Sequence, residues 1–437
     1  MNYITKIIII FAALIYKMFI LNKVLNISRM KNYLIVFAAF VSAMICSCSS
    51  NNTADENAQW RGENRDGVYN ETGLLKSWPE GGPELLWFYE GLGAGFTAPA
   101  VANDRVYITG LHGDDLVLFV FNIKGELLFK KEVGREEAHN YPGPRSTVAI
   151  NDGKLYIYNA FGRLLCLDKK TLSEVWARDL LADFDGRNIA WMVTESLLII
   201  DDKIIVAPGG ETHNIVALNK NTGETVWTTP AEGTVSAYCS PQFIEGYAVP
   251  LIVTSMADFI VGLNADTGEM LWSHPQTNMY NIHPNTPLYH NGMIFSTTGY
   301  REGSVMLRLR NGGRDVEQVW KNDEMDNQMG GSIRIGNNIF GAGHFNNAWF
   351  CIDWNSGETK YRVSNIGRAN IISADGMLFC YSERGNVYLV KPNPNEFEVV
   401  SSFSVTLGTD QHWAHPVIYK GVLFIRHGDA LMAYKVK

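Results

Sequence analysis

Short apolar segments separated by polar turns run through most of the chain. The segments are rich in β-branched and aromatic side chains and follow a Gly, Asn or Asp turn, as 154–158 and 293–296 do. This pattern predicts strands, and the 3.6-residue period of helices is nearly absent. We therefore expect an all-β protein built from short antiparallel strands.

One eleven-residue motif occurs four times, at 166–176, 217–227, 262–272 and 351–361. Each copy runs from a small residue through an apolar residue and Asp or Asn into a turn, and it ends in an aromatic residue. In three copies a glycine stands where a hairpin needs a residue with positive φ. Repeats of this length indicate stacked supersecondary units, and we expect the closing aromatic to pack between neighbouring units.

The closing aromatic residues number eight and are spaced by 41 to 51 residues. They are Trp87, Phe129, Trp176, Trp227, Trp272, Trp320, Tyr361 and Phe403. The last unit lacks an outer strand, whereas 84–89 is an outer strand with no unit before it. We predict an eight-bladed β-propeller over residues 84–437, closed by the N-terminal strand, because closure removes exposed sheet edges. A seven-bladed ring would need 96–134 or 368–405 to be something else.

The N-terminal region carries an export signal. Residues 30–45 have a basic start, an apolar middle and small residues at the end, as a secretory signal peptide does. The sequence Ile45-Cys-Ser-Cys48 resembles a bacterial lipoprotein signal, in which the last cysteine, Cys48, becomes the lipidated N-terminus; a plain transmembrane anchor is the alternative. We expect 1–48 to be the signal region, with Met30 an alternative start, and 49–83 to be a tether and N-terminal extension. The expected location is the bacterial cell envelope, through a lipid anchor in the outer membrane on its periplasmic or surface side.

Charge argues against nucleic acid as a partner. The chain has a formal net charge of −8, and residues 1–48 hold five basic and no acidic residues, so the remainder carries −13. Phosphate attraction dominates nucleic-acid binding, so we predict no such partner, and we expect a monomer. The four cysteines after Cys48 offer no close pair, and we expect them to be buried free thiols.

Candidate ligand-binding residues lie just before the innermost strand of each blade. In a propeller these segments crowd one mouth of the central channel, and here they are the least repeated part of the chain. Mixed donors, acceptors and a stacking aromatic at one funnel favour a polar ligand, although the same groups could instead satisfy one another. The candidates are Arg145, Glu195, Tyr238, Asn285, Arg368, Asn370, His412, Trp413 and His415.

We predict neither a metal site nor a catalytic residue from the sequence. His412 and His415 are three residues apart, which places them on opposite faces of a strand. Residues 323–327 are acidic and offer oxygen ligands, but acidic loop tips are usually only solvated. The sequence has no Gly-x-Ser-x-Gly elbow, and no convincing nucleophile–base pair can be picked out from it.

The repeated motif with its closing Trp resembles the tryptophan-docking motif of pyrroloquinoline-quinone-type propellers. That superfamily includes quinoprotein alcohol dehydrogenases and the lipoprotein subunit of the outer-membrane barrel-assembly machinery. The resemblance covers nearly all of 59–437, and the segments 59–67, 141–145, 191–195 and 413–416 look like a subgroup of secreted proteins with no assigned reaction. For the dehydrogenases it implies a quinone, a Ca²⁺ ion, an Asp base and a disulfide between adjacent cysteines, and this chain has no Cys-Cys pair.

Two functions follow as hypotheses. The first is a lipid-anchored, non-catalytic binding or assembly scaffold for an envelope protein, a glycan or a small polar ligand, with no cofactor. The second is a quinoprotein-type dehydrogenase or sugar-active enzyme with its site in the funnel. In that case pyrroloquinoline quinone with calcium is the cofactor, Trp413 or Trp191 stacks on it, and Arg145, Glu195, Arg368 and His412 bind cofactor or substrate.

Overall fold

The computed structural model describes residues 56–364 and 366–437. Within them, eight sheets of at least four strands form a ring, so the predicted eight-bladed β-propeller is confirmed. The predicted signal region with Cys48 lies outside the described residues. No helix in the described part of the chain is long and apolar enough to cross a membrane.

Each blade is an antiparallel sheet whose strands are numbered from the channel outward. Two short strands come first, β1 (Val68–Tyr69) and β2 (Leu85–Glu90). Blades one to four are β3 (Ala100–Ala102), β4 (Arg105–His112), β5 (Asp115–Asn122), β6 (Leu127–Arg135); β7 (Ala149–Asn151), β8 (Lys154–Tyr158), β9 (Arg163–Asp168), β10 (Glu174–Asp179); β11 (Leu198–Ile200), β12 (Lys203–Val206), β13 (Ile215–Asn219), β14 (Thr225–Thr229); β15 (Gln242–Ile244), β16 (Leu251–Ser255), β17 (Phe259–Asn264), β18 (Met270–Pro275).

Blades five to eight continue the same order. They are β19 (Leu288–His290), β20 (Met293–Thr298), β21 (Gly303–Arg310), β22 (Asp315–Asn322); β23 (Ser332–Ile335), β24 (Asn338–Ala342), β25 (Trp349–Asp353), β26 (Thr359–Val363); β27 (Ala369–Ala374), β28 (Met377–Ser382), β29 (Asn386–Lys391), β30 (Glu398–Ser404); β31 (Val417–Tyr419), β32 (Val422–His427), β33 (Ala430–Lys435). One helical turn, α1 (Leu180–Asp183), follows β10, and a 3-10 turn (Asn311–Gly313) joins β21 to β22.

The ring closes by joining the two ends of the propeller. Strand β2 pairs antiparallel with β33, with Phe88 opposite Met432, and so supplies the outer strand that the last blade lacks. Both weaker units form complete sheets, β3–β6 and β27–β30, which excludes the seven-bladed alternative. The four cysteines of the described region are free and buried, as predicted.

The repeated Trp residues dock onto the next blade. The indole Nε1 of Trp227 donates to the carbonyl of Ala265 over 3.2 Å, and Trp320 does the same to Trp354 over 3.1 Å. A Cβ on Gly268, whose φ is +75°, would lie 2.5 Å from the Trp227 ring. The motif glycine therefore allows the turn, and its missing side chain leaves room for the indole of the preceding blade.

The N-terminal extension enters the channel from the end opposite to the starts of the innermost strands. Ala58 forms a bridge with Ile150 in β7, and β1 adds a parallel fifth strand beside the end of β27. Between these two points, Arg61 and Arg65 are buried in the channel, with relative exposures of 4% and 2%. The sequence patterns contained no signal for this insertion.

Candidate ligand-binding site in the central channel

A cavity of about 380 Å³ lies at the end of the channel where the innermost strands begin. All eight blades contribute to its lining, which the loops before the innermost strands and the turns between the second and third strands provide. Its volume is within the range of about 300–1,000 Å³ that is usual for small-molecule sites.

The N-terminal extension forms the floor of this cavity. The Trp60 indole donates to Thr286 Oγ1 over 3.1 Å and packs edge-on against the His415 ring, with centroids 4.5 Å apart. The Arg61 guanidinium donates to four backbone carbonyls and to His415 Nδ1 at 3.2 Å. Burial and the neighbouring Arg61 hold the pKa of His415 well below its usual value, so this imidazole is a neutral acceptor. The channel is thus plugged below the cavity.

Aromatic rings cover much of the wall. Trp413 packs against Phe96 and Tyr141, with centroids 5.2 and 5.3 Å apart. On the other side of the cavity Tyr300 lies 5.1 Å from the His344 ring, and Trp191 lies 6.3 Å from the ring of Tyr238. Rings of this kind give a rigid apolar surface at low entropic cost.

A polar recess opens beside Trp413, and its side chains bond to each other. Arg368 donates to Glu383 Oε2 through Nε at 2.9 Å and Nη2 at 2.7 Å. The remaining Arg368 nitrogen, Nη1, contacts Nδ1 of His344. Burial and the charge of Arg368 lower the pKa of His344 to about 4, so its ring is neutral.

Seven of the nine predicted residues surround the cavity, but most are engaged in holding the loops. Arg145 donates to the carbonyls of Asn140 and Tyr141, at 2.6 and 2.7 Å. The Asn285 amide bonds to Asn327 O at 2.7 Å and accepts from Gly331 N at 3.1 Å. Tyr238, Asn370, Arg368, Trp413 and His415 complete the set.

Glu195 and His412 do not line the cavity. Glu195 is buried behind the wall, where its Oε1 accepts from the Ala207 amide over 2.9 Å, and burial raises its pKa to about 8. Nδ1 of His412 shares a hydrogen bond of 2.6 Å with the Tyr381 hydroxyl, and its ring stacks on His427, with centroids 3.7 Å apart. Glu195 thus has no open face, whereas His412 borders only a gap of about 10 Å³ beside the cavity.

The residues around the cavity do not fit a calcium–quinone centre. Ca²⁺ takes six to eight oxygen ligands, and in the described ranges no three His, Cys, Asp or Glu side chains converge. Asp326, in the acidic segment 323–327, is engaged instead by the backbone amides of Arg301, His344 and Phe345, at 3.0, 2.9 and 3.1 Å. The carboxylate that does line the cavity, Glu383, is already paired with Arg368.

Sequence reasoning missed several residues that line the cavity, and five of them shape its floor and polar side. Trp60 and Arg61 belong to 59–67, a segment outside the repeat and therefore without a predicted place. Tyr300, His344 and Glu383 follow the second strands of blades five to seven. Because strands alternate in direction, every second turn returns to the same end of a blade, and that rule would have found them.

Comparisons with known proteins point to two groups that share this architecture. Residues 198–396 match a family model described as outer membrane protein assembly factor BamB. The crystal structure of BamB from Moraxella catarrhalis superposes with a TM-score of 0.55 at 14% identity, covering 76% of this chain and 98% of that one. The quinohemoprotein alcohol dehydrogenase of Comamonas testosteroni gives 0.61 at 13% identity, covering 90% and 82%.

Curated relatives match over shorter stretches. The quinoprotein ethanol dehydrogenase of Pseudomonas aeruginosa is 34% identical over 85 residues, 20% of this chain. The 1-butanol dehydrogenase (cytochrome c) of Thauera butanivorans is 28% identical over 163 residues, 34% of this chain. The chain spans only 13% and 23% of the lengths of these two relatives.

The resemblance to both groups is confirmed. The structural likenesses, at 12–14% identity, concern the fold. The function therefore has to be argued from this chain's own site.

Proposed function

We propose that this chain is a non-catalytic binding scaffold of the bacterial cell envelope, with a polar ligand held in the cavity at the channel end. The observation that supports it best is the state of the cavity's charged groups. Arg368 is paired with Glu383, and Arg61 and Arg145 donate to backbone carbonyls. Such groups shape and bind, and the carboxylate oxygen that has no partner, Glu383 Oε1, belongs to a side chain already paired with Arg368.

The scaffold proposal also agrees with the plugged channel. The floor made by Trp60 and Arg61 gives the cavity one mouth, which suits the capture of a ligand or of a protruding segment of a partner. The match of 198–396 to the BamB family supports a role in the envelope. The partner is then an envelope protein or a glycan.

A calcium and quinone titration tests this proposal first. The purified protein is titrated with pyrroloquinoline quinone plus Ca²⁺ while its melting temperature is followed, and dye reduction by primary alcohols is assayed in parallel. We expect no shift and no dye reduction. A ligand specific for the folded state adds about 2.7 kcal/mol of stability at a hundredfold excess over its Kd, so a calcium-dependent rise with alcohol-dependent dye reduction would overturn the proposal.

A quinoprotein-type dehydrogenase is the second candidate. The match to two alcohol dehydrogenases and the Trp413 ring in the cavity wall favour it. Against it stand the missing Cys-Cys pair and the engaged carboxylates. The same titration separates the two functions.

A further inference from the structure

We infer that the side of the cavity bounded by His344, Arg368, Glu383 and Trp413, called the recess below, is a subsite for a neutral sugar ring. This inference rests on the proposed function, since it names the chemical class of the ligand held in the cavity. All four residues line the cavity of about 380 Å³, which has room for a sugar ring, whereas the adjoining gap that they also border, of about 10 Å³, holds no more than one water molecule. Three of the four are linked by hydrogen bonds.

The linked side chains leave one hydrogen-bond acceptor and one hydrogen-bond donor for a ligand. Oε2 of Glu383 accepts both Arg368 contacts, whereas in the described part of the chain its Oε1 is buried without a hydrogen-bond partner. Nδ1 of His344 receives Arg368 Nη1, so the neutral ring carries its hydrogen on Nε2. A buried carboxylate oxygen without a partner is costly, and a ligand hydroxyl would provide the missing donor.

The charges of the recess select against ions. A cation at Glu383 would meet the Arg368 guanidinium, and an anion at Arg368 would meet the Glu383 carboxylate, at the 2.7 Å separation of that pair. Hydroxyl groups, in contrast, both donate and accept without carrying charge. The recess therefore favours a neutral polyhydroxylated ligand.

The aromatic walls supply the second half of a sugar site. The faces of aromatic rings are electronegative, so they attract the weakly positive C–H face of a sugar ring. Trp413 is fixed by Phe96 and Tyr141, and Tyr300 is fixed against His344. Both rings line the cavity together with the donor–acceptor pair, and this combination matches a ligand with apolar faces and a polar edge.

Titration of the purified protein with neutral disaccharides tests the inference. The probes are cellobiose, maltose and N,N′-diacetylchitobiose, with a glucuronate-containing disaccharide as the anionic comparison, and tryptophan fluorescence and calorimetry report binding. We expect at least one neutral probe to bind and the anionic probe to bind at least tenfold more weakly. Glu383→Gln and Trp413→Ala should each weaken the neutral probe at least tenfold, about 1.4 kcal/mol.

Glu398→Gln is the matched control, because Glu398 is also paired with a basic residue, Lys391 at 3.3 Å, but lies on the outer strand β30. It should bind as the unaltered protein does, and melting temperatures confirm that each variant is folded. Failure of all neutral probes, or unchanged binding by folded Glu383→Gln, would overturn the sugar inference. If a ligand other than a sugar binds and Trp413→Ala abolishes that binding, the scaffold proposal stands without the sugar inference. If pyrroloquinoline quinone with Ca²⁺ binds instead, the scaffold proposal and the sugar inference are both wrong.

Discussion

At the scale of single residues, the motif glycines carry two constraints at once. Gly268 has a φ of +75°, and its missing Cβ leaves room for the Trp227 indole. The turn pattern predicted the first constraint from the spacing alone. The second depends on how the next blade is placed, which no local pattern reports.

Gly268→Ala is therefore expected to destabilise the propeller more than turn strain alone would. Left-handed backbone costs a non-glycine residue roughly 1–2 kcal/mol, and overpacking adds about 1–3 kcal/mol. We expect a loss of about 2–5 kcal/mol in the free energy of unfolding, measured by urea denaturation. Gly376→Ala is the control, since its φ is +73° and no atom lies within 4 Å of its added Cβ. Equal losses in the two variants would show that the close contact with the Trp227 indole contributes nothing to the free energy of unfolding.

The candidate residues show where prediction from sequence ended. The rule that loops before the innermost strands meet at one mouth placed Tyr238, Trp413 and five others around the cavity. It did not distinguish Glu195, whose side chain turns behind the wall to the Ala207 amide. The direction of a side chain in an irregular loop depends on its hydrogen bonds to other blades. These hydrogen bonds cannot be read from a single sequence.

At the scale of elements, strands and blades were predictable because each repeat contains its own turn residues and its closing aromatic residue. The N-terminal extension was not, because residues 56–83 have no repeat partner. Its anchors are two arginines that donate to backbone carbonyls of separate blades. A carbonyl acceptor exists at every residue, so such a contact leaves no trace in the sequence.

Arg61→Lys tests whether these hydrogen bonds hold the N-terminal extension in the channel. Burial lowers the pKa of Arg61 to about 10, so it is charged at neutral pH. Lysine has three donors at one point and cannot reach all five acceptors of the guanidinium, and each unpaired buried group costs about 1–3 kcal/mol. We expect the free energy of unfolding to fall by about 2–5 kcal/mol. Arg384→Lys, at an exposed position, should change it by less than about 0.5 kcal/mol; a similarly small effect at Arg61 would contradict the proposed role.

At the scale of the whole molecule, the extension relates the cavity to the predicted lipid anchor. Asn57 contacts the Asp152 amide at 3.2 Å, and the Glu56 carbonyl accepts from Lys169 at 3.3 Å. Both partners lie in turns on the face opposite to the cavity mouth. Seven residues separate Glu56 from Cys48, which span at most about 25 Å. If Cys48 is lipidated, the mouth is expected to face away from the bilayer.

Cys48→Ser should therefore move the protein from the membrane to the soluble fraction and abolish labelling by fatty acid, whereas Cys46→Ser, two residues earlier, should change neither.

For orientation, fluorophores attached at Lys170→Cys and Phe161→Cys report opposite faces of blade two, and both positions are exposed. In vesicles with a quencher on the lipid headgroups, the label at 170 should be quenched and the label at 161 should not. The four native cysteines of the described region are buried and would not compete for label. Stronger quenching at 161 would mean that the mouth faces the bilayer, and membrane retention of Cys48→Ser would rule out this lipid as the anchor.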